Sequence, residues 1–383
     1  MTASEKTCRR DDDAARFASQ VCARLWPGAA AARSEPLRGD ASTRRYLRAH
    51  LAEPRPAGAP ATLILMVMQD AAVALSSEEL GVFGKDGPKE LAFVNVARFL
   101  SRHTDALPTL YGVSPDQSLL VLEDVGDKPL WDAVHEAGPA EGEELFGIAL
   151  DLIADLQARA VDDGSGCYAF LQAFDERLFG WEFQHFLEYG VAPSDATLVA
   201  KSRAELAAVA ARLASLPRVL AHRDYHAWNI HVQAPAEPPV AREAAQPTGA
   251  RGARLRLIDF QDALLAPALY DVASLLTDRM TPDFVTPERE ARLLQRFFAR
   301  QRAGRLADLA ETRAAYRLVA LQRVLKVVGR FNYLAEVKGK PSYLAMLPAV
   351  CRTARRLLAE SEGVEATREL FSIAARDGGE TAA

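Results

Sequence analysis

Apolar residues in the first third of the chain occur in short runs and in strict alternation, which is the spacing of β-strands. Two helices with an apolar residue at every third or fourth position interrupt this pattern. The pattern predicts strands at Tyr46–Ala49, Thr62–Met68 and Ser118–Leu122, with helices over residues 11–26 and 89–100.

Beyond Leu122 the apolar spacing becomes predominantly helical. It predicts helices over residues 143–159, 202–216, 271–277, 288–302, 308–328 and 342–360. Gly126 allows a sharp turn at the point where the pattern changes. We therefore predict an α+β protein of two lobes: residues 1–125, with a mainly antiparallel sheet and helices, and residues 126–383, larger and mainly helical.

Composition narrows the class of protein. The 383 residues are 49% hydrophobic, enough for a sizeable core, and the formal net charge of −5 gives no basic surface for nucleic acid. The longest strongly apolar run, Leu63–Met68, is too short to cross a bilayer, and the four cysteines are far apart without a Cys-x-x-Cys pair. We expect a cytoplasmic protein with reduced thiols and neither a nucleic-acid nor a membrane partner.

Two further apolar runs, Val219–Ala221 and Leu255–Ile258, each end in polar residues. The first leads into His222-Arg223-Asp224, with Asn229 five positions after the aspartate, and the second leads into Asp259. A phosphoryl-transfer loop uses this spacing, because the carboxylate must reach the acceptor hydroxyl while the amide turns back toward Mg²⁺. Asp224 therefore fits a catalytic base, Asn229 and Asp259 fit metal ligands, and together they predict a site for ATP and Mg²⁺.

Other interpretations of these residues exist. A His-x-Asp sequence alone is common in structural roles. His222 and His226 are four residues apart, which on a helix would suit zinc. The absence of a glutamate after the first histidine, and the strand-like run before it, argue against that site.

Three other stretches have less specific chemistry. The small residues Gly39, Ala41 and Ser42 could let backbone N–H groups approach phosphates, although an ordinary hairpin turn would use the same residues. The aromatic stretch Phe174–Tyr189 is more typical of a core than of a pocket. Residues 234–254 are rich in Pro, Ala, Gly and Arg and without periodicity, which predicts an excursion between the two catalytic segments.

With these motifs in place, the chain resembles the aminoglycoside phosphotransferase family, whose members have a two-lobed protein-kinase-like fold. It is most similar to bacterial sugar kinases that phosphorylate N-acetylmuramate and N-acetylglucosamine at C1 during cell-wall recycling. The resemblance covers about residues 37 to 350. Its motifs are the two catalytic segments and the stretches 39–46, 120–126, 270–276, 322–331 and 339–344.

The resemblance implies an ATP-dependent kinase with a small-molecule alcohol, most simply a sugar, as acceptor. It assigns Asp224 as the base and Asn229 and Asp259 as Mg²⁺ ligands. It also implies that the turn Gly39–Arg45 covers the phosphates and that Glu123–Val125 contact adenine through their backbone. His222 becomes an architectural residue, and Asp271 fixes the catalytic loop by hydrogen bonds.

One departure from the family pattern concerns the nucleotide phosphates. Kinase-like folds place a lysine on the central strand of the first lobe, paired with a helix glutamate, but Leu63–Met68 contains no lysine. The triphosphate charge still requires a cation. We expect Arg44 or Arg45 to supply it, tethered by Glu90.

The acceptor remains open at this point. An aminoglycoside, choline or homoserine kinase would share the same motifs, and the missing lysine would suit a nucleotide-binding pseudokinase scaffold. Trp181, Glu182 and Asp262 are candidates for the acceptor pocket, with core packing as the alternative for the first two.

Overall fold

A computed structural model describes residues 3–37, 44–68, 90–191, 195–233, 252–279, 281–301 and 309–377. Contacts within the chain define two compact units. The first contains Met1–Asp127 together with Arg256–Gln261, and the second contains Lys128–Leu255 and Asp262–Ala383. The division after Asp127 lies close to the predicted one, whereas the return of Arg256–Gln261 to the first unit was not predicted.

The first unit is built on a five-stranded sheet. Its strand order is β1-β2-β3-β5-β4, and each neighbouring pair is antiparallel. The elements in chain order are α1 (Ala3–Leu25), β1 (Ala31–Pro36), β2 (Arg44–Leu51), β3 (Thr62–Met68), α2 (Ala92–Leu100), β4 (Leu110–Val113) and β5 (Leu119–Glu123). The predicted antiparallel sheet is therefore confirmed.

The residue pattern explains the arrangement of this sheet. Along β2, Leu47, Ala49 and Leu51 are buried while the intervening residues are partly exposed, as strand alternation requires. In β3 every residue from Leu63 to Met68 is buried, which matches its central position. Apolar residues of α1 pack in the same cluster as Leu47, Leu63 and Leu65.

The second unit is mainly helical. Its helices are α3 (Leu130–Ala137), α4 (Pro139–Arg159), α5 (Glu176–His185), α6 (Ala196–Ala214), α7 (Tyr270–Leu276), α8 (Pro287–Arg300), α9 (Leu309–Glu336), α10 (Leu347–Glu360) and α11 (Glu365–Asp377). Short 3₁₀ turns occur at Tyr168–Phe170 and Pro341–Met346. Helices α3, α5 and α11 were not predicted.

Four short strands accompany these helices. They are β6 (Arg218–Ala221), β7 (Ile230–Gln233), β8 (Arg254–Leu257) and β9 (Leu264–Pro267). β6 pairs with β9 in antiparallel orientation, and β7 pairs with β8, the strand in which the chain passes from the second unit to the first. The two apolar runs predicted to precede the catalytic residues are thus β6 and β8.

Helices α5 and α9 approach each other closely. A π-helical turn, Phe186–Gly190, continues α5 and packs against α9. A Cβ atom on Gly329 of α9 would lie 2.6 Å from the backbone oxygen of His185, so only glycine permits this approach. The close crossing places the polar residues of α9 beside those of α5.

Within the described residues, no helix is both long enough and apolar enough to span a membrane.

Candidate active site

The loop that follows β6 holds the first set of candidate residues in a strained conformation. Arg223 has φ of 77°, in the left-handed region that non-glycine residues rarely adopt. The buried Asp271 carboxylate accepts hydrogen bonds from the backbone N–H groups of His222 at 2.7 Å and Arg223 at 3.0 Å. Asp271 therefore fixes the loop in the way expected from the sequence, and these bonds offset the cost of the strained residue.

Asp224 follows directly and carries the candidate basic carboxylate. Its side chain is 38% exposed, and one carboxylate oxygen lies 3.8 Å from Nη2 of Arg323 on α9. Burial alone would raise the pKa of this carboxyl, but the positive charges of Arg323, Lys326 and Arg223 lower it well below its ordinary value. Asp224 is consequently an ionised, partly accessible carboxylate at neutral pH.

Arg323 is held on several sides. It is almost fully buried, and its Nη1 lies 3.3 Å from both the Arg223 carbonyl oxygen and the Tyr270 hydroxyl, to which it donates. Its guanidinium carbon is 5.4 Å from the centre of the Tyr270 ring, within the range of a cation–π interaction. The guanidinium therefore occupies a defined position next to Asp224.

A second cation on α9 is paired with a carboxylate on α5. Nζ of Lys326 is 2.5 Å from Oε1 of Glu182, and Gln322 donates to the other Glu182 oxygen at 2.6 Å. Burial alone would lower the pKa of Lys326, but the Glu182 carboxylate raises it. Glu182 is only 1% exposed and pairs with Lys326, which fits the core-packing alternative for this residue.

The loop also orients Asn229. Its amide nitrogen donates to the Asp224 carbonyl oxygen at 3.0 Å and lies 3.3 Å from Nε2 of His226. With the nitrogen directed into the loop, the amide oxygen points the opposite way, as a cation ligand would need to. Residues 222–229 form a loop and not a helix, which removes the helical spacing on which a zinc site at His222 and His226 would depend.

The first unit holds Asp259, also in a strained conformation. Its φ is 63°, and its Oδ1 accepts a hydrogen bond from Nε2 of Gln261 at 2.8 Å. Nη1 of Arg44, at the start of β2, lies 3.7 Å from the same oxygen. A carboxylate and a cation are therefore adjacent at the end of β8.

The partners of Arg45 and Glu90 differ from the predicted ones. Nη2 of Arg45 is 2.9 Å from Asp11 of α1, whereas Glu90 pairs with Arg98 and accepts from Asn95 at 3.4 Å. The predicted tether is wrong because Arg98 lies two helical turns further along the same segment, within direct reach of Glu90. Of the two arginines considered for the phosphates, only Arg44 lies beside Asp259.

The Glu123 side chain is occupied by a buried arginine. Arg256 of β8 is 1% exposed and donates to both Glu123 oxygens at 2.6 Å and to the Leu107 carbonyl at 2.7 Å. This pairing leaves the backbone of Glu123–Val125 as the part of the segment that could meet a base. It also ties Arg256, three residues before Asp259, to the last residue of β5.

The other residues predicted from the sequence differ in how exposed they are. Trp181 is 42% exposed, with its ring centre 4.8 Å from that of His185, and Asp262 is partly exposed. In the aromatic stretch, Phe174, Phe179, Phe183 and Phe186 are buried, as the core interpretation predicts. Gly39 and Ser42, and most of the predicted excursion at 234–254, lie outside the described residues.

No role was predicted from the sequence for Arg323, Lys326 or Tyr270. A signal for the first two was present, because Gln322, Arg323 and Lys326 recur at helical spacing among the apolar residues of α9. Polar residues on a face that must be buried need partners. Only the structure identifies those partners as Glu182 and Asp224.

Comparison with known proteins identifies the family to which the chain belongs. Residues 33–241 match the model of the phosphotransferase enzyme family, APH. The N-acetylmuramate/N-acetylglucosamine kinase of Caulobacter vibrioides is 30% identical over 335 residues, covering 82% of this chain and 85% of that protein. The protein of the same name from Pseudomonas aeruginosa is 30% identical over 271 residues, covering 68% and 71%.

Solved structures agree on the fold. An ADP-bound aminoglycoside phosphotransferase superposes with a TM-score of 0.56 at 13% identity, covering 93% of this chain and 99% of the other. At that identity the likeness concerns the fold alone. It confirms the predicted kinase-like architecture.

Proposed function

This chain belongs to the phosphotransferase enzyme family and is an ATP-dependent kinase, and we propose that it phosphorylates the anomeric hydroxyl of N-acetylmuramate and N-acetylglucosamine. The relatives from Caulobacter vibrioides and Pseudomonas aeruginosa, whose names state these two sugars, support the acceptor. The reaction would belong to the recycling of cell-wall sugars in the cytoplasm.

The observation that carries the choice of acceptor is the charge around Asp224. The charged side chains that lower the pKa of its carboxyl most strongly are the cations Arg323, Lys326 and Arg223, whereas the neighbouring His226 faces the Asp278 carboxylate as well as Arg279. A polycationic aminoglycoside would be repelled by this set and would need a cluster of carboxylates instead. A neutral sugar, or one that carries a carboxylate, suits it better.

Asp224 is the group we assign as the base. Its carboxylate is ionised and partly exposed, so it can accept the proton of the attacking hydroxyl. An anomeric hydroxyl is more acidic than an ordinary alcohol, which makes proton transfer to a carboxylate easier. Asp271, through the two backbone N–H groups, keeps the loop that carries the base in place.

Asn229 and Asp259 are the residues we assign to Mg²⁺. Amide and carboxylate oxygens are the hard ligands that this ion prefers. The direction of the Asn229 amide and the exposure of the Asp259 carboxylate, 46% for its side chain, both fit such a role. When bound, Mg²⁺ neutralises phosphate charge as the phosphoryl group is transferred.

For the nucleotide itself we propose three contacts. Arg44 supplies the cation for the phosphates in place of the missing lysine, because it lies beside Asp259. The turn that contains Gly39 and Ser42 covers the phosphates. The backbone of Glu123–Val125 meets the adenine, since the Glu123 side chain is already bound by Arg256.

The two neighbouring arginines give a matched test of the phosphate contact. We expect Arg44→Ala to raise KM for ATP by about tenfold or more, because a cation is lost from the nucleotide phosphates. Arg45→Ala, which among the described residues loses an ion pair with Asp11 on α1, should change KM for ATP less than twofold. Equal KM values for the two variants would remove Arg44 from the proposal.

The acceptor is tested with a panel of sugars and a polycation. Purified protein with ATP and Mg²⁺ is assayed with N-acetylmuramate, N-acetylglucosamine and kanamycin, and the phosphorylated position is read by ³¹P NMR. We expect phosphorylation of the two sugars at C1 and none of kanamycin. Turnover of kanamycin alone would overturn the proposed acceptor, and the absence of ATP-dependent turnover with all three would count against it equally.

A further inference from the structure

We propose, on the basis of the proposed function, that Arg323 is a positioning residue: it holds the Asp224 carboxylate in the orientation needed to take the acceptor proton. No motif of the sequence gave Arg323 a role. The inference comes from its contacts in the second unit.

The position of the Arg323 guanidinium is fixed independently of Asp224. Nη1 is 3.3 Å from the Arg223 carbonyl oxygen and from the Tyr270 hydroxyl, and the charged group lies over the Tyr270 ring. Its side chain is 9% exposed. A long flexible side chain that is buried and bound on several sides has little freedom left, so it can act as a rigid reference for its neighbours.

The distance between the Arg323 guanidinium and the Asp224 carboxylate allows electrostatic attraction without a hydrogen bond. Nη2 lies 3.8 Å from Oδ1 of Asp224, within ion-pair range but beyond a hydrogen bond. A strong bidentate pair would use the lone pairs that must accept the acceptor proton. At the observed distance the guanidinium attracts the carboxylate and leaves those lone pairs for the acceptor hydroxyl.

Arg323 also connects the carboxylate to its own loop. It binds the carbonyl of Arg223, the residue with φ of 77° directly before Asp224. The strained turn is therefore held from two sides, by Asp271 at its N–H groups and by Arg323 at its carbonyl. A shift of this turn would move the base directly, and a displacement of about 1 Å can cost on the order of a hundredfold in rate.

The test compares variants of the full-length protein with the acceptor that the wild-type protein phosphorylates. We expect Arg323→Met to lower kcat by about 10- to 100-fold while KM for ATP changes less than twofold, because the loss is in the position of the base. Arg323→Lys should recover part of kcat, since it keeps the charge. Tyr270→Phe keeps the ring but removes one anchor and should cost less than Arg323→Met.

A control for general damage is Arg356→Met. This arginine of α10 pairs with the buried Glu290 at 2.9 Å, and its loss should lower stability and leave kcat unchanged. An Arg323→Met protein that kept kcat within twofold of the wild type would overturn the proposal. If Arg323→Met does not fold, Arg323→Lys and Tyr270→Phe decide instead, because unchanged kcat in both would overturn it too.

A double-mutant cycle shows whether Arg323 acts through Asp224. In an Asp224→Asn background, Arg323→Met should reduce the residual rate by less than threefold, since the group it positions is already absent. A full 10- to 100-fold loss in that background would contradict the positioning role. A wrong acceptor would be evident from the wild-type protein alone, so the two failures can be told apart.

Discussion

Two sets of basic residues in the second unit form ion pairs, one set near the surface and the other buried. On α8, Arg289, Arg292, Arg296 and Arg300 face Glu143, Glu144, Asp151 and Asp155 of α4 in a ladder along the surface. On α9, Arg323 and Lys326 are paired with Asp224 and the buried Glu182. The first set follows helical spacing on both helices, and the second set interrupts an apolar face.

The difference shows which ion pairs matter for the chemistry. Exposed pairs gain little, because water and salt screen the charges and both side chains lose freedom. A buried pair contributes little net stability either, but removal of one partner leaves a charge with no compensation. On α9 the positive charges of Arg323 and Lys326 also act on the carboxylate of the candidate base, Asp224.

The largest expected effect on stability follows from Lys326→Met. This change removes the cation from Glu182, which is 1% exposed, and leaves a buried carboxylate unpaired. We expect the free energy of unfolding to fall by about 3 kcal/mol. Urea denaturation followed by circular dichroism measures the change.

The double variant Lys326→Met/Glu182→Gln provides the control. It removes both charges and keeps an amide that can bond to Gln322, so it should be more stable than Lys326→Met alone. If the double variant is less stable than Lys326→Met, the loss of stability does not arise from the unpaired carboxylate. That result would contradict the difference proposed between buried and exposed ion pairs.

The smallest expected effect on the free energy of unfolding is that of a substitution in the surface ladder between α8 and α4. Arg300 is 50% exposed and pairs with Asp155 at 2.7 Å, so Arg300→Met should cost about 0.5 kcal/mol and leave kcat unchanged. The cost should shrink further in 1 M salt, because the charges are screened. A loss of 3 kcal/mol in low salt would show that the ladder behaves like a buried pair.

The pH dependence of the ladder has a defined sign. The Arg300 guanidinium lowers the pKa of Asp155. A carboxyl whose pKa is lowered in the folded protein contributes stability above its unfolded pKa and loses it as the pH falls through the lowered value. The difference in stability between the wild type and Arg300→Met should therefore vanish in acid, and a difference that grew in acid would contradict this assignment.

The sequence was sufficient for the elements with strong periodicity. Strand β3 matches its predicted range, α4 and α8 begin and end within four residues of theirs, and α6 begins six residues before its predicted start. Helices α3, α5 and α11 were missed although the shorter α7 was predicted, so helix length alone does not explain the difference. The return of Arg256–Gln261 to the first unit depends on a long-range pair, Arg256 with Glu123, which no local pattern encodes.

The candidate site, like the fold, was predicted only in part from the sequence. The bond from Asn229 to the Asp224 carbonyl is local, whereas Asp271 reaches the loop from 48 and 49 residues further along the chain, and the catalytic and metal-binding roles stay predictions. The partner of Glu90 and the burial of Glu182 were not predictable, because each depends on which side chain a neighbouring helix turn presents. Arg323 lay within the stretch 322–331 that carries the family resemblance, but its contact with Asp224 was not predictable from the sequence.

The most direct test of the account is the rate of sugar phosphorylation by Asp224→Asn. The substitution preserves the shape of the side chain and removes the base, so we predict that kcat falls on the order of a thousandfold while the protein stays folded and binds ATP. A folded Asp224→Asn protein that phosphorylates N-acetylmuramate at a rate within tenfold of the wild type would contradict the assignment of Asp224 as the base.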